Sequence, residues 1–146
     1  MPRSATAVPP SAKTWRTPHG HPAGDTVLLA VAAAVRDCVR SEDVAARYGG
    51  DEFAIILPET GIEEGLRVAA RVAVAIGEVR LERAGATITI GASLGVASFP
   101  LHAENRVGLI VAADQAAYAA KHRGKHRVCR PEDARPDLDP GREVAS

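Results

Sequence analysis

Aromatic side chains are scarce in this chain: Phe, Tyr and Trp together make up 3% of its 146 residues. A core so poor in rings must be assembled from Ala, Val, Leu and Ile, and hydrophobic residues at 46% are enough for one domain. Net charge is also missing. Eighteen basic residues balance eighteen acidic ones, so no overall field draws the chain to a nucleic-acid backbone or an anionic membrane. No apolar run reaches the roughly 18 residues that a bilayer span takes, and the opening MPRSATAVPPSAKTW lacks the apolar stretch of a signal peptide. The expectation is a cytoplasmic protein with no membrane segment and no nucleic-acid partner. Cysteine is limited to Cys38 and Cys129, at no spacing that suggests a disulfide framework or a zinc site. Cys38 falls on the apolar face of a helical pattern and reads as a small buried apolar residue.

What is present divides the chain into segments. Residues 1–19 carry Pro2, Pro9, Pro10 and Pro18 with almost no periodic apolar pattern, which predicts a flexible arm. From Val27 the apolar positions Val31, Ala34, Val35, Cys38 and Val39 follow at spacings of three and four, predicting a helix over about 24–39. DVAARYGGDEFAIILP then reads as two short strands around a turn at Gly49 to Glu52, with Pro58 ending the second. Thr60 and Glu63 have the spacing of a capping box. Ile62, Leu66, Ala69, Val72, Ala73 and Ile76 mark the helix that follows, and Gly77 is its natural stop. In TITIGASLGVAS, Ile88, Ile90, Ala92, Leu94 and Val96 alternate with small or polar residues, predicting one strand with one buried face. Gly91 and Gly95 within it suggest bulges or the close approach of a neighbour. A last helix is expected over about 106–121, with Ile110, Ala113, Ala117 and Ala120 facing inward and Gly124 closing it. Residues 130–146 are charged and broken by proline, the composition of a disordered tail.

RYGGDEF, residues 47–53, is the stretch that carries chemistry. Glycines at a turn allow a bulky ligand to approach bare backbone, and adjacent acids beside them suit a Mg²⁺ ion that also holds a polyphosphate. A solvated acidic turn is the competing reading, because Gly and Asp favour turns for local reasons alone.

Gly49 to Phe53 resembles the signature of the GGDEF family of diguanylate cyclases, and the resemblance continues along the chain. GHPAGDTVLLAV resembles the family's GHxxGDxxL helix, ASLGVASFP its SxGxA strand, and ADQAAYAAKHRGKHRV its C-terminal ADxAxYxAKxxG element. The resemblance implies an α+β fold, a mainly antiparallel sheet covered by helices, ferredoxin-like and akin to the palm of nucleotide cyclases and polymerases. It implies a partial GGDEF domain over 20–129 that condenses two GTP molecules into cyclic di-GMP with Mg²⁺ or Mn²⁺, as a homodimer with one GTP on each copy.

Carried over by position, the resemblance makes Asp51 the metal-binding acid and Glu52 the second, catalytic acid. Gly49 and Gly50 lie along the phosphates, Asp25 hydrogen-bonds guanine, and Lys121 and Lys125 hold the triphosphate. Arg40 and Asp43 of RSED stand where many members have an RxxD inhibitory site for the product, and Arg71 matches the arginine that completes it. Arginine suits that role because its planar fork pairs with phosphate and guanine edges.

The chain departs from the family at its start. Complete members begin further upstream, with a helix and a first strand containing a DxLTGLxNRR element, and then carry DxDxFKxxND just before GHxxGD. Aligned on Gly20 and His21, the two DxD acids fall on Val8 and Pro10, and the Asn-Asp pair on Arg16 and Thr17. The expectation is therefore a domain lacking its first helix and strand, with impaired activity. The alternative is an inactive receptor that binds cyclic di-GMP at the RxxD site.

Overall fold

The computed structural model describes residues 3–8, 20–49, 52–83, 85–123 and 127–134. Within them the chain forms β1 (Arg3–Val8), α1 (Gly20–Cys38), β2 (Val44–Gly49), β3 (Glu52–Leu57), α2 (Ile62–Gly77), β4 (Arg80–Arg83), β5 (Ala86–Thr89), β6 (Leu94–Phe99), α3 (Arg106–His122), β7 (Val128–Cys129) and a 3₁₀ turn, Pro131–Ala134. Among the described residues the main sheet has the order β2-β3-β1-β6-β7. It is antiparallel except for the β6–β7 pair. The run β1-α1-β2-β3-α2-β6 gives the ferredoxin-like order, so the expected α+β fold stands.

The N-terminal expectation needs correction. Arg3–Val8, placed in a flexible arm by sequence, is the central strand, with Ser4 opposite Leu57 on β3 and Ser98 on β6. The domain therefore does not lack a strand at this position. A six-residue run free of proline separates Pro2 from Pro9, and hydrogen-bonded ladders on both flanks stabilise it despite its weak local pattern. Residues 9–19 lie outside the described residues.

The expected strand across residues 88–96 also divides. Ala86–Thr89 pairs with Arg80–Arg83 in a separate two-stranded ribbon, and β6 begins only at Leu94. β6 is buried on both faces rather than one. Leu94 and Val96 join Val27, Val31, Ile55, Leu57, Val72 and Ile76 in the main core, whereas Ala97 packs with Ala112 and Ala113 of α3. Hence α1 and α2 cover one face of the sheet and α3 lies on the other. The close approach suspected at the glycines occurs at Gly95: a Cβ there would collide with the carbonyl of Ala113 and the amide nitrogen of Ala117. Its companions on α3 are alanines for the same reason, since Ala113, Ala116, Ala117 and Ala120 let helix and strand backbones approach.

Three further local readings are settled by the structure. The helix expected over 24–39 begins earlier, at Gly20. Thr60 and Glu63 do not form a capping box, because the N-cap of α2 is Gly61 and no side chain caps it. The last helix matches its expected span, and Asn105 caps it by accepting from the Gly108 amide at 2.8 Å. Gly124, its expected stop, lies outside the described residues.

The C-terminal segment assigned to a disordered tail is partly built into the domain. The Ser98 amide donates to His102 Nδ1 at 2.9 Å, which leaves Nε2 to carry the ring proton toward Glu132 Oε1 at 2.5 Å. Arg130 Nε lies 3.4 Å from Glu132 Oε2. The His102 side chain is only 6% exposed, so this clasp works in a poorly solvated setting. Residues 135–146 lie outside the described residues.

Two stability outcomes follow from these contacts. Gly95→Ala should cost about 3 kcal/mol in chemical denaturation, because the colliding atoms are backbone and cannot rotate away. His102→Ala should cost about 2 kcal/mol, because it removes the ring that takes the Ser98 amide and the partner of Glu132.

Candidate functional site

The β2–β3 hairpin forms as the sequence suggests, with a register shift between Arg47 and Gly49 at its tip. Such an irregularity increases local twist and turns the tip away from the ladder. Gly49 pairs with Glu52, and Glu52 is exposed at the first position of β3. Gly50 and Asp51 lie outside the described residues. Phe53 is buried beneath the tip, and its backbone partner on the central strand is Val8. The C-terminal end of β1 thus reaches the base of the hairpin.

Asp25 lies in the N-terminal third of α1. Lys121 is half-buried in the last turn of α3. Lys125 lies outside the described residues. A groove of about 780 Å³ runs between α1 and β2, walled by Leu28, Leu29, Ala32, Val35 and Val39 with Phe53 at its base. Arg36, Arg40 and Arg47 line the same groove. Apolar walls with arginines suit a ligand that is flat and anionic.

The structure brings Arg40, Asp43 and Arg71 together at the C-terminal end of α1. Asp43 Oδ2 accepts from the Arg40 backbone amide at 2.8 Å and lies 3.7 Å from Arg40 Nε, while Glu42 Oε1 lies 3.5 Å from the same nitrogen. Arg40 Nη2 donates to Thr60 Oγ1 at 3.1 Å. Arg71 Nη2 donates to the Cys38 carbonyl at 3.4 Å, a long bond that serves an orphan carbonyl at the helix end. Burial pushes the Cys38 thiol pKa up, against the opposing pull of Arg71. The Asp43 side chain is 2% exposed, yet its Oδ1 has no hydrogen-bond partner among the described residues.

Sequence reasoning missed Thr60 and Arg36. Thr60 was read as a cap because its spacing from Glu63 permits one. No periodic signal marks Arg36 as a groove residue until α1 is set against β2.

A family description, "Diguanylate cyclase, GGDEF domain", matches residues 13–127. This chain belongs to the GGDEF family. Diguanylate cyclase DosC of Escherichia coli is 43% identical over 116 residues, 79% of this chain but 24% of that protein. Diguanylate cyclase A of Treponema denticola is 37% identical over 110 residues, 75% of this chain and 30% of its own length. The chain thus spans between a quarter and a third of these relatives. Among solved structures, the GGDEF domain of DgcB from Caulobacter crescentus in complex with c-di-GMP superposes with a TM-score of 0.83 at 27% identity. That match covers 90% of this chain and 78% of the other. The matched family stretch begins inside the segment read as an arm.

Membership of this family implies use of a divalent cation. Among the described residues no three of His, Cys, Asp and Glu gather into a metal site. Among the described residues, no helix is long and apolar enough to cross a membrane.

Asp43→Ala should cost about 1–2 kcal/mol in thermal or chemical unfolding, because the Arg40 amide loses its acceptor and the guanidinium loses a counter-charge.

Proposed function

We propose that this domain, as a pair of facing copies in the cytoplasm, condenses two GTP molecules into cyclic di-GMP at reduced efficiency. The observation that carries the proposal is the glycine-bearing hairpin, with Glu52 exposed beside the end of the central strand in a chain of this family. In the reaction the 3′-hydroxyl of one GTP attacks the α-phosphate of the other and pyrophosphate leaves. The same exchange in the opposite sense closes the ring. Each copy holds one GTP, so the chemistry requires the dimer.

Within each copy, Asp25 accepts from the guanine ring N–H and exocyclic amine. The amides of Gly49 and Gly50 lie along the phosphates, and Lys121 and Lys125 neutralise the triphosphate. Asp51 and Glu52 are the acids of the reacting centre; Asp51 would hold Mg²⁺ or Mn²⁺, which would neutralise charge on the phosphates, with Glu52 as the second, catalytic acid. With Val8 in place of a carboxylate, the acids of the hairpin tip are left without the family's partner on β1, which accounts for the reduced efficiency. Arg40, Asp43 and Arg71 form a separate site that binds the product, where the exposed Arg40 guanidinium meets the ligand and Asp43 supports it from beneath.

The test is an endpoint assay of cyclic di-GMP formed from GTP, with Mg²⁺ and with Mn²⁺, at high protein concentration. Wild type should give little product, Glu52→Gln none, and Val8→Asp at least tenfold more than wild type, an effect of about 1.4 kcal/mol on the barrier. No product from a folded Val8→Asp protein would overturn the cyclase reading.

A further inference from the structure

We infer that Thr60 is a positioning residue of the product site, holding Arg40 in the orientation that receives the ligand. This rests on the reading of Arg40, Asp43 and Arg71 as that site. Thr60 lies 20 residues beyond Arg40, in the turn between β3 and α2, and it is one of the few buried polar residues of the domain at 3% exposure.

The hydroxyl's geometry fixes its role. Thr60 Oγ1 lies 2.9 Å from the Pro58 carbonyl, which can only accept, so the single hydroxyl proton is committed there. Toward Arg40 the oxygen is therefore an acceptor, and it takes Nη2 at 3.1 Å. Nε lies near Asp43 and Glu42 at ion-pair distances of 3.7 and 3.5 Å, so it is the hydrogen bond to Thr60 that fixes the guanidinium's direction. The side chain as a whole is 56% exposed, so the guanidinium still faces solvent. A planar group oriented by one hydrogen bond and two neighbouring carboxylates, and still exposed, can receive a ligand on its open side.

The turn itself supports the assignment. Glu59, just before Thr60, takes φ 55, in the left-handed region that a side chain rarely adopts. The strained turn carries Thr60 inward, and Thr60 makes no cap for α2 there. A free arginine loses much rotational freedom on binding, so fixing it beforehand strengthens the bond to the ligand.

The discriminating experiment is calorimetric titration of cyclic di-GMP into wild type, Thr60→Val, Thr60→Ser and Arg40→Ala, with thermal unfolding of each. Thr60→Val keeps the shape and removes the hydroxyl, both the acceptor for Arg40 and the donor to the Pro58 carbonyl, whereas Thr60→Ser keeps both. Thr60→Val should weaken binding about tenfold, the size expected for one hydrogen bond to a charged group, while Thr60→Ser stays near wild type. Arg40→Ala should abolish binding. If Thr60→Val binds as wild type does while Arg40→Ala fails to bind, the positioning role is wrong and the product site stands. If Thr60→Ser is weakened as much as Thr60→Val, the threonine acts through its methyl packing and the inference is again overturned. Absence of binding by wild type would remove the product site and this role with it.

Discussion

The two hydrogen-bonded ladders of Arg3–Val8 hold this domain together. β1 sits between β3 and β6, and no other described contact joins those strands within the sheet. Without it the main sheet would separate into the β2–β3 hairpin and the β6–β7 pair, each with an open edge. The core depends on the same join, because Ile55 and Leu57 on one side of β1 and Leu94 and Val96 on the other enclose one apolar volume with α1 and α2.

The opposite face is governed by how closely helix and strand backbones can approach. α3 presents a ridge of alanines to β6, and Gly95 accepts that ridge because it has no side chain. This intimacy lets a chain with so few aromatic residues achieve a dry second layer, since small residues at short distance replace large ones at longer distance. It also fixes the end of α3, and with it Lys121, relative to the strand.

The helices and the hairpin were legible because they obey local rules. Periods of three and four drew α1, α2 and α3, and the glycines with Pro58 bracketed β2 and β3. What escaped was decided by partners distant in sequence. RSATAV has little strand character alone, and only ladders to residues some fifty and ninety positions away make it one. β6 lost its expected alternation because α3 covers the face that should have been polar. Thr60 had the right spacing for a cap and was used elsewhere, as side-chain hydroxyls can be when a turn offers a better partner. At the candidate site, the family motifs named the residues. The pairing of Arg40 with Thr60 and the open oxygen of Asp43 needed coordinates.

The position of β1 has a consequence for how the chain is made. Within the domain Arg3–Val8 is made before both strands that it joins, one of which ends at Leu57 and the other at Phe99. The central strand must therefore wait, solvent-exposed, through the synthesis of most of the domain before its second ladder can close. Contacts between such distant positions slow folding and prolong the life of half-assembled sheets. The nascent domain is thus most vulnerable to mispairing after β3 has emerged and before β6 has.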